Sequence, residues 1–186
     1  LAPDRIELNT ANDVIGGTFT SRINMNLRED KHWSYGARSS LAETRGQRPW
    51  LLSAPVQTDK TVESIQEIRR ELAEFLATRP ITADEVDKIR SRDVRALSGQ
   101  YETNAAVSSA IGDIVRFGRP DDYVRTLRAR LEAQTDAGVR QAAAQAFRPD
   151  SLTWVIVGDL SKIEAPIREL GLGSVQVLDA DGNVLR

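Results

Sequence analysis

At 186 residues the chain is long enough for one sizeable domain and short for two. Its 25 basic and 27 acidic residues are mixed along the sequence and leave a net charge of −2, which gives no electrostatic reason to expect nucleic acid or an anionic membrane as partner. Cysteine is absent, so disulfides, thiol catalysis and thiolate metal sites are excluded, and an oxidising compartment is compatible. The longest strongly apolar stretch, Trp154 to Val157, is far too short to span a membrane. Leu1 opens the chain without an initiator methionine or a signal peptide, which reads as a piece of a longer polypeptide and leaves location open.

The first segment is helix-like and runs to Gly16-Gly17, which read as a helix C-cap and a tight turn. Phe19, Ile23 and Leu27 then fall four apart and predict a buried stripe on a short helix, with Asn24 and Arg28 on a neighbouring polar face. Lys31 and His32 end that helix. Tyr35 opens the next strand, so Arg28 projects toward it. Tyr35 to Glu43 and Trp50 to Thr58, joined by the turn-like Thr44-Arg45-Gly46-Gln47, predict a hairpin.

Helical periodicity dominates the centre. Val62, Ile65, Ile68, Leu72, Phe75 and Leu76 predict a long amphipathic helix ending before Pro80. Thr82 with Glu85 is a capping-box signature for the next helix, which turns Val86, Ile89, Val94 and Leu97 inward. Tyr101 to Phe117 carries Val107, Ile111, Ile114 and Val115 and is closed by Gly118 and Pro120. Two further helices hold Tyr123, Leu127 and Leu131, then Val139, Ala142, Ala143 and Phe147. Leu152 to Val157 predicts a strand stopping at Gly158-Asp159, Ser161 with Glu164 a helix cap, and Val175 to Leu178 a last strand before the Asp181-Gly182 turn. Strands at both ends with helices between predict one α/β or α+β layered domain over residues 1–186, not a bundle.

A single histidine, His32, limits the chemistry most. Zinc motifs of the H-x-x-E-H or H-E-x-x-H type need two imidazoles a helical turn apart. A Ser–His–acid triad would have to use His32, and no glycine-flanked nucleophile elbow is present. Glu29-Asp30, Asp84-Glu85 and Asp121-Asp122 lie in first or last helical turns, where the macrodipole alone accounts for acidic residues at helix starts. Gly16-Gly17 lacks the phosphate-loop pattern. No catalytic apparatus is visible in this chain alone. Arg28 and Tyr35 remain, a charged donor and a phenol able to grip a carbonyl oxygen.

Val14-Ile15-Gly16-Gly17-Thr18-Phe19-Thr20-Ser21-Arg22-Ile23, then Leu27-Arg28-Glu29 and Tyr35-Gly36, resembles the pattern ILGG-x-F-x-SRL-x-x-x-LRE-x-x-x-x-x-Y. That pattern belongs to the C-terminal, non-catalytic half of insulinase/pitrilysin-type zinc peptidases, inverzincins grouped with the mitochondrial processing peptidase. Val155-Ile156-Val157-Gly158-Asp159 is similar to that family's closing strand.

The resemblance implies a divided enzyme of processing-peptidase-like fold, α/β of the two-layer α+β type with an antiparallel or mixed sheet covered by helices. A homologous domain, in the same polypeptide or a separate subunit, carries H-x-x-E-H plus a distal glutamate, binds zinc and activates water. This chain binds no metal itself, faces that domain across an enclosed chamber, and contributes Arg28 and Tyr35 to hold peptide substrates and stabilise the oxyanion. Bacterial relatives of this kind are often periplasmic. Two departures stand out: His32 replaces a frequent glycine, tolerable because histidine accepts left-handed geometry, and the family's first strand is missing ahead of the first helix, leaving an edge prone to pairing. The alternatives are a scaffold subunit of the same fold without peptidase activity, and a free-standing peptide-binding module.

Overall fold

Helix α1 (Arg5–Asn12) runs on into a wider π-helical stretch, Asp13–Gly17, in a computed structural model that describes residues 5–186. Helix α2 (Arg22–Asn24) likewise widens over Met25–Asp30, where Lys31 N–H reaches back five residues to Asn26 O at 3.0 Å. The expected opening at Leu1 lies outside the described residues. Between these helices and α3 lies the hairpin β1 (Arg38–Leu41) and β2 (Trp50–Ser53), antiparallel with Arg38 opposite Ser53 and Leu41 opposite Trp50. The ladder is shorter than its two apolar runs suggest. The Thr44 hydroxyl closes the intervening loop onto Gln47 O at 2.9 Å.

The helical layer follows in order: α3 (Thr61–Leu76), α4 (Ala83–Gln100), α5 (Asn104–Phe117), α6 (Tyr123–Glu132), α7 (Asp136–Ala146) and α8 (Leu160–Glu169). Their caps explain their boundaries. Thr82 and Glu85 exchange both bonds of a capping box, Thr103 and Thr135 cap α5 and α7 through their hydroxyls, and Gly118 ends α5 at φ 59°. The core joins α1, α2, α3 and α7 beneath the hairpin, with Ile15, Ile23, Leu27, Leu72 and Val139 fully enclosed. Phe147 stacks edge-on against Trp50 at 5.3 Å and lies 6.1 Å from Phe75, tying sheet to helices. The architecture is a two-layer α+β fold.

Several expectations change. Leu152 has extended geometry (φ −79°, ψ 138°), but Leu152 to Val157 forms no ladder among the described residues. Its inner side chains, Leu152 and Trp154, pack on the core while Val155 and Val157 are 86% and 95% exposed. β-branched composition set the local conformation; a partner strand is what makes it a sheet. Val175 to Leu178 joins no sheet either: it folds back on the chain end through Leu178 opposite Val184, around a turn in which the Asp179 carboxylate accepts from Asp181 and Asn183 N–H. The cap of α8 is Asp159, whose carboxylate accepts from Ser161 N–H at 3.1 Å; Ser161 lies inside the helix. Val94 and Leu97 are only half-buried. Phe19 stands outside the helix that was to bury it, because Ser21 takes up extended geometry and helix α2 begins after it. Asn24, assigned to a polar face, is buried.

Candidate functional site

The chain from Gly16 to Ala37 is folded tightly by three buried side chains. Asn12 Oδ1 accepts from Ser39 Oγ at 2.8 Å and from Trp50 Nε1 at 2.9 Å, fixing the first helix to both strands. A Cβ on Gly16 would lie 2.8 Å from Ser39 Cβ, and one on Gly17 would lie 2.6 Å from Asn12 Nδ2. Both glycines therefore serve close approach, neither has positive φ, and the helical stretch ends at Gly17. Asn24 donates to Phe19 O at 2.6 Å and accepts from Ala37 N–H at 2.9 Å, joining the turn before α2 to the start of β1.

The two expected site residues come together. The loop after α2 folds back because Leu27 O accepts from both Trp33 and Ser34 N–H, at 3.0 and 3.2 Å. His32 takes φ 57° at the bend, and its Nδ1 lies 3.0 Å from Arg28 O. The accommodation expected of a histidine at this turn is the one it makes. Arg28's guanidinium carbon then lies 5.5 Å from the centre of the Tyr35 ring. Glu29 approaches Arg28 Nε at 3.4 Å.

A β-bulge aims Tyr35 outward. Arg38 faces Ser53 while Ser34 bridges Val56, so Tyr35, Gly36 and Ala37 oppose only Ala54 and Pro55. Regular alternation with buried Ala37 and Ser39 would turn Tyr35 into the core, but the extra residue leaves it 90% exposed. The Ser34 hydroxyl accepts from Gly36 N–H at 3.1 Å and donates to Pro55 O at 2.7 Å, bonding to both sides of the bulge.

Sequence reasoning missed one neighbour. Phe19, 51% exposed, lies with its ring centre 4.5 Å from the Arg28 guanidinium carbon. The signal was present in Ser21, a residue that favours helix N-termini and so separates Phe19 from the following stripe. The motif's other arginine, Arg22, is structural: it grips Glu85 with two bonds of 2.8 and 2.7 Å and also meets the carbonyls of Arg79 and Pro80, securing the α3–α4 connection.

Fold and site define the class of the molecule: a two-layer α+β domain whose bulged hairpin sets a phenol beside a guanidinium at the surface. Residues 1–92 match the family described as "Peptidase M16 inactive domain". A peptidase M16 inactive domain from Pseudomonas fluorescens is similar over 79% of this chain and 35% of its own, at 20% identity and a TM-score of 0.72. The periplasmic protease PqqL from Escherichia coli is similar over 77% of this chain and 16% of its own, at 18% identity and a TM-score of 0.66. The inactive peptidase domain of a proposed zinc protease from Bordetella parapertussis matches over 77% of this chain and 78% of its own, at 19% identity and a TM-score of 0.65. These identities show the fold, and the chain spans about a third of the length of the first of these structures. No curated protein matches the chain at a significant level.

Proposed function

We propose that the chain is the substrate-binding, non-catalytic half of a zinc metalloendopeptidase of insulinase/pitrilysin type, working against a homologous domain that bears H-x-x-E-H. The observation that carries this reading is the Arg28–Tyr35 pair, 5.5 Å from guanidinium carbon to ring centre, with the phenol ring turned out of the core by a bulge. An exposed tyrosine without a packing role beside a half-buried arginine offers two hydrogen-bond donors, one of them permanently charged. Such donors hold a peptide carbonyl and gain strength as negative charge develops on its oxygen.

Zinc belongs, in this reading, to the partner domain. The residues here do not fit it: the one imidazole is held at Nδ1 by a backbone carbonyl, and no group of three or more His, Cys, Asp or Glu side chains among the described residues could hold a metal. The same reading assigns unstructured peptides as substrates and the bacterial periplasm as compartment. The lack of cysteine and the periplasmic E. coli neighbour support that location.

Reconstitution tests the division of labour. The chain alone is expected to show no zinc-dependent hydrolysis of unstructured peptides, and mixing it with its H-x-x-E-H partner is expected to produce it. Robust hydrolysis by the isolated chain would overturn the reading. A stable complex without peptidase activity would favour the scaffold alternative.

A further inference from the structure

Phe19 is a large apolar side chain half in solvent, yet its backbone is held from both sides. Ser21 N–H donates to Thr18 O at 3.1 Å, the Thr18 hydroxyl donates to Asp13 O at 3.0 Å, and buried Asn24 donates to Phe19 O at 2.6 Å. That frame fixes where the ring sits, with Arg28's guanidinium carbon 4.5 Å from its centre. Among the described residues Arg28 pairs with exposed neighbouring Glu29, at 3.4 Å from Nε, where water and salt screen the attraction. A ring face attracts a guanidinium without consuming any of its N–H donors, because the contact is with the π cloud. The Nη donors, which Glu29 does not approach, then stay available to a carbonyl.

We propose that Phe19 is a positioning residue, a shelf that holds the Arg28 guanidinium beside Tyr35 with its Nη donors free. This rests on the peptide-binding role given above to Arg28 and Tyr35. Phe19 acts through Arg28: it reduces the rotamer freedom that a long side chain would otherwise lose when the peptide binds.

Two measurements test it. In the 15N spectrum of the chain, the Arg28 Nε–Hε signal, assigned by its loss in Arg28→Lys, should lie upfield of exposed arginines through the ring current. It should move back toward them in Phe19→Leu and stay upfield in Phe19→Tyr, with the amide spectrum otherwise unchanged. In the complex with the zinc-bearing partner, Phe19→Leu should lower kcat/KM about two- to fivefold, the scale of one exposed cation–π contact, and Phe19→Tyr should restore it. An Nε signal indifferent to Phe19→Leu overturns the shelf, as does unchanged kcat/KM when Arg28→Ala is damaging. If Arg28→Ala leaves turnover intact while the Nε signal still responds to Phe19→Leu, the shelf stands and the peptide-binding reading falls.

Discussion

In α3 the residues Ile65, Ile68, Leu72 and Phe75 are buried, whereas in α5 Val107, Ile111 and Val115, at helical steps of the same kind, face solvent. The difference is in what each helix meets. α3 packs against α2, α7 and α8, and buried Asn26 donates to Glu67 and Glu71 on it at 2.7 and 2.9 Å. α5 is secured mainly at its C-terminal end, where Phe117 is buried among the guanidinium groups of Arg5, Arg116 and Arg119, and Arg45 reaches the carbonyls of Val115 and Arg116. Amphipathic periodicity fixes which face of a helix is apolar; burial depends on the surface offered to it. The Arg28–Tyr35 pair stands on the closed part of the molecule, next to fully enclosed Ile23 and Leu27, so its geometry inherits the rigidity of that core.

The largest expected effect comes from cutting the two helices alike. Leu72→Ala should cost about 3 kcal/mol of stability, as a cavity in a closed core does, while Ile111→Ala should stay within about 0.5 kcal/mol. Urea unfolding midpoints check both, and comparable losses would erase the contrast. Next comes Asn24→Ala. It leaves buried Ala37 N–H without its acceptor, at a cost of about 2 kcal/mol, and frees the turn carrying Phe19, so kcat/KM should fall as well. Thr82→Ala removes one half of the α4 capping box and should cost about 1 kcal/mol by the same assay.

The smallest effect is a pH dependence. Burial works to raise the Glu85 carboxyl, but hydrogen bonds from Arg22 and Thr82 outweigh it and hold the group below the ordinary glutamate range. A carboxyl depressed in the folded state contributes stability that is complete above the unfolded value, about 4.3, and is lost as the pH falls through the folded one. Acid unfolding of Arg22→Met should therefore show a shallower loss over that range than the parent, because the interaction is already gone.

Much of this was legible in residue order. The capping box at Thr82, the stop at Gly118, the amphipathic face of α3 and the hairpin all follow from local chemistry, and local chemistry is what neighbouring residues report. Arg28 and Tyr35 were singled out by type and spacing, and the family pattern gave them a role. The bulge was hidden because register depends on Ser53 and Val56 in the opposite strand, which no run of residues around Tyr35 encodes. Asn24 was misread for a related reason: its value lies in bridging Phe19 and Ala37, five and thirteen residues away. Leu152 to Val157 shows the limit most plainly, since composition dictates an extended chain and says nothing of whether a partner strand lies beside it.

The central claim is that Arg28 and Tyr35 form half of a site whose other half lies in a zinc-bearing domain. Its most direct test is kcat/KM for an unstructured peptide with the reconstituted pair, comparing parent, Arg28→Ala and Tyr35→Phe while gel filtration confirms that the complex is intact. The expected result is a fall of about a hundredfold for each variant, the scale of losing one donor to a developing oxyanion. Turnover equal to the parent in both variants, with the complex intact, would contradict the claim.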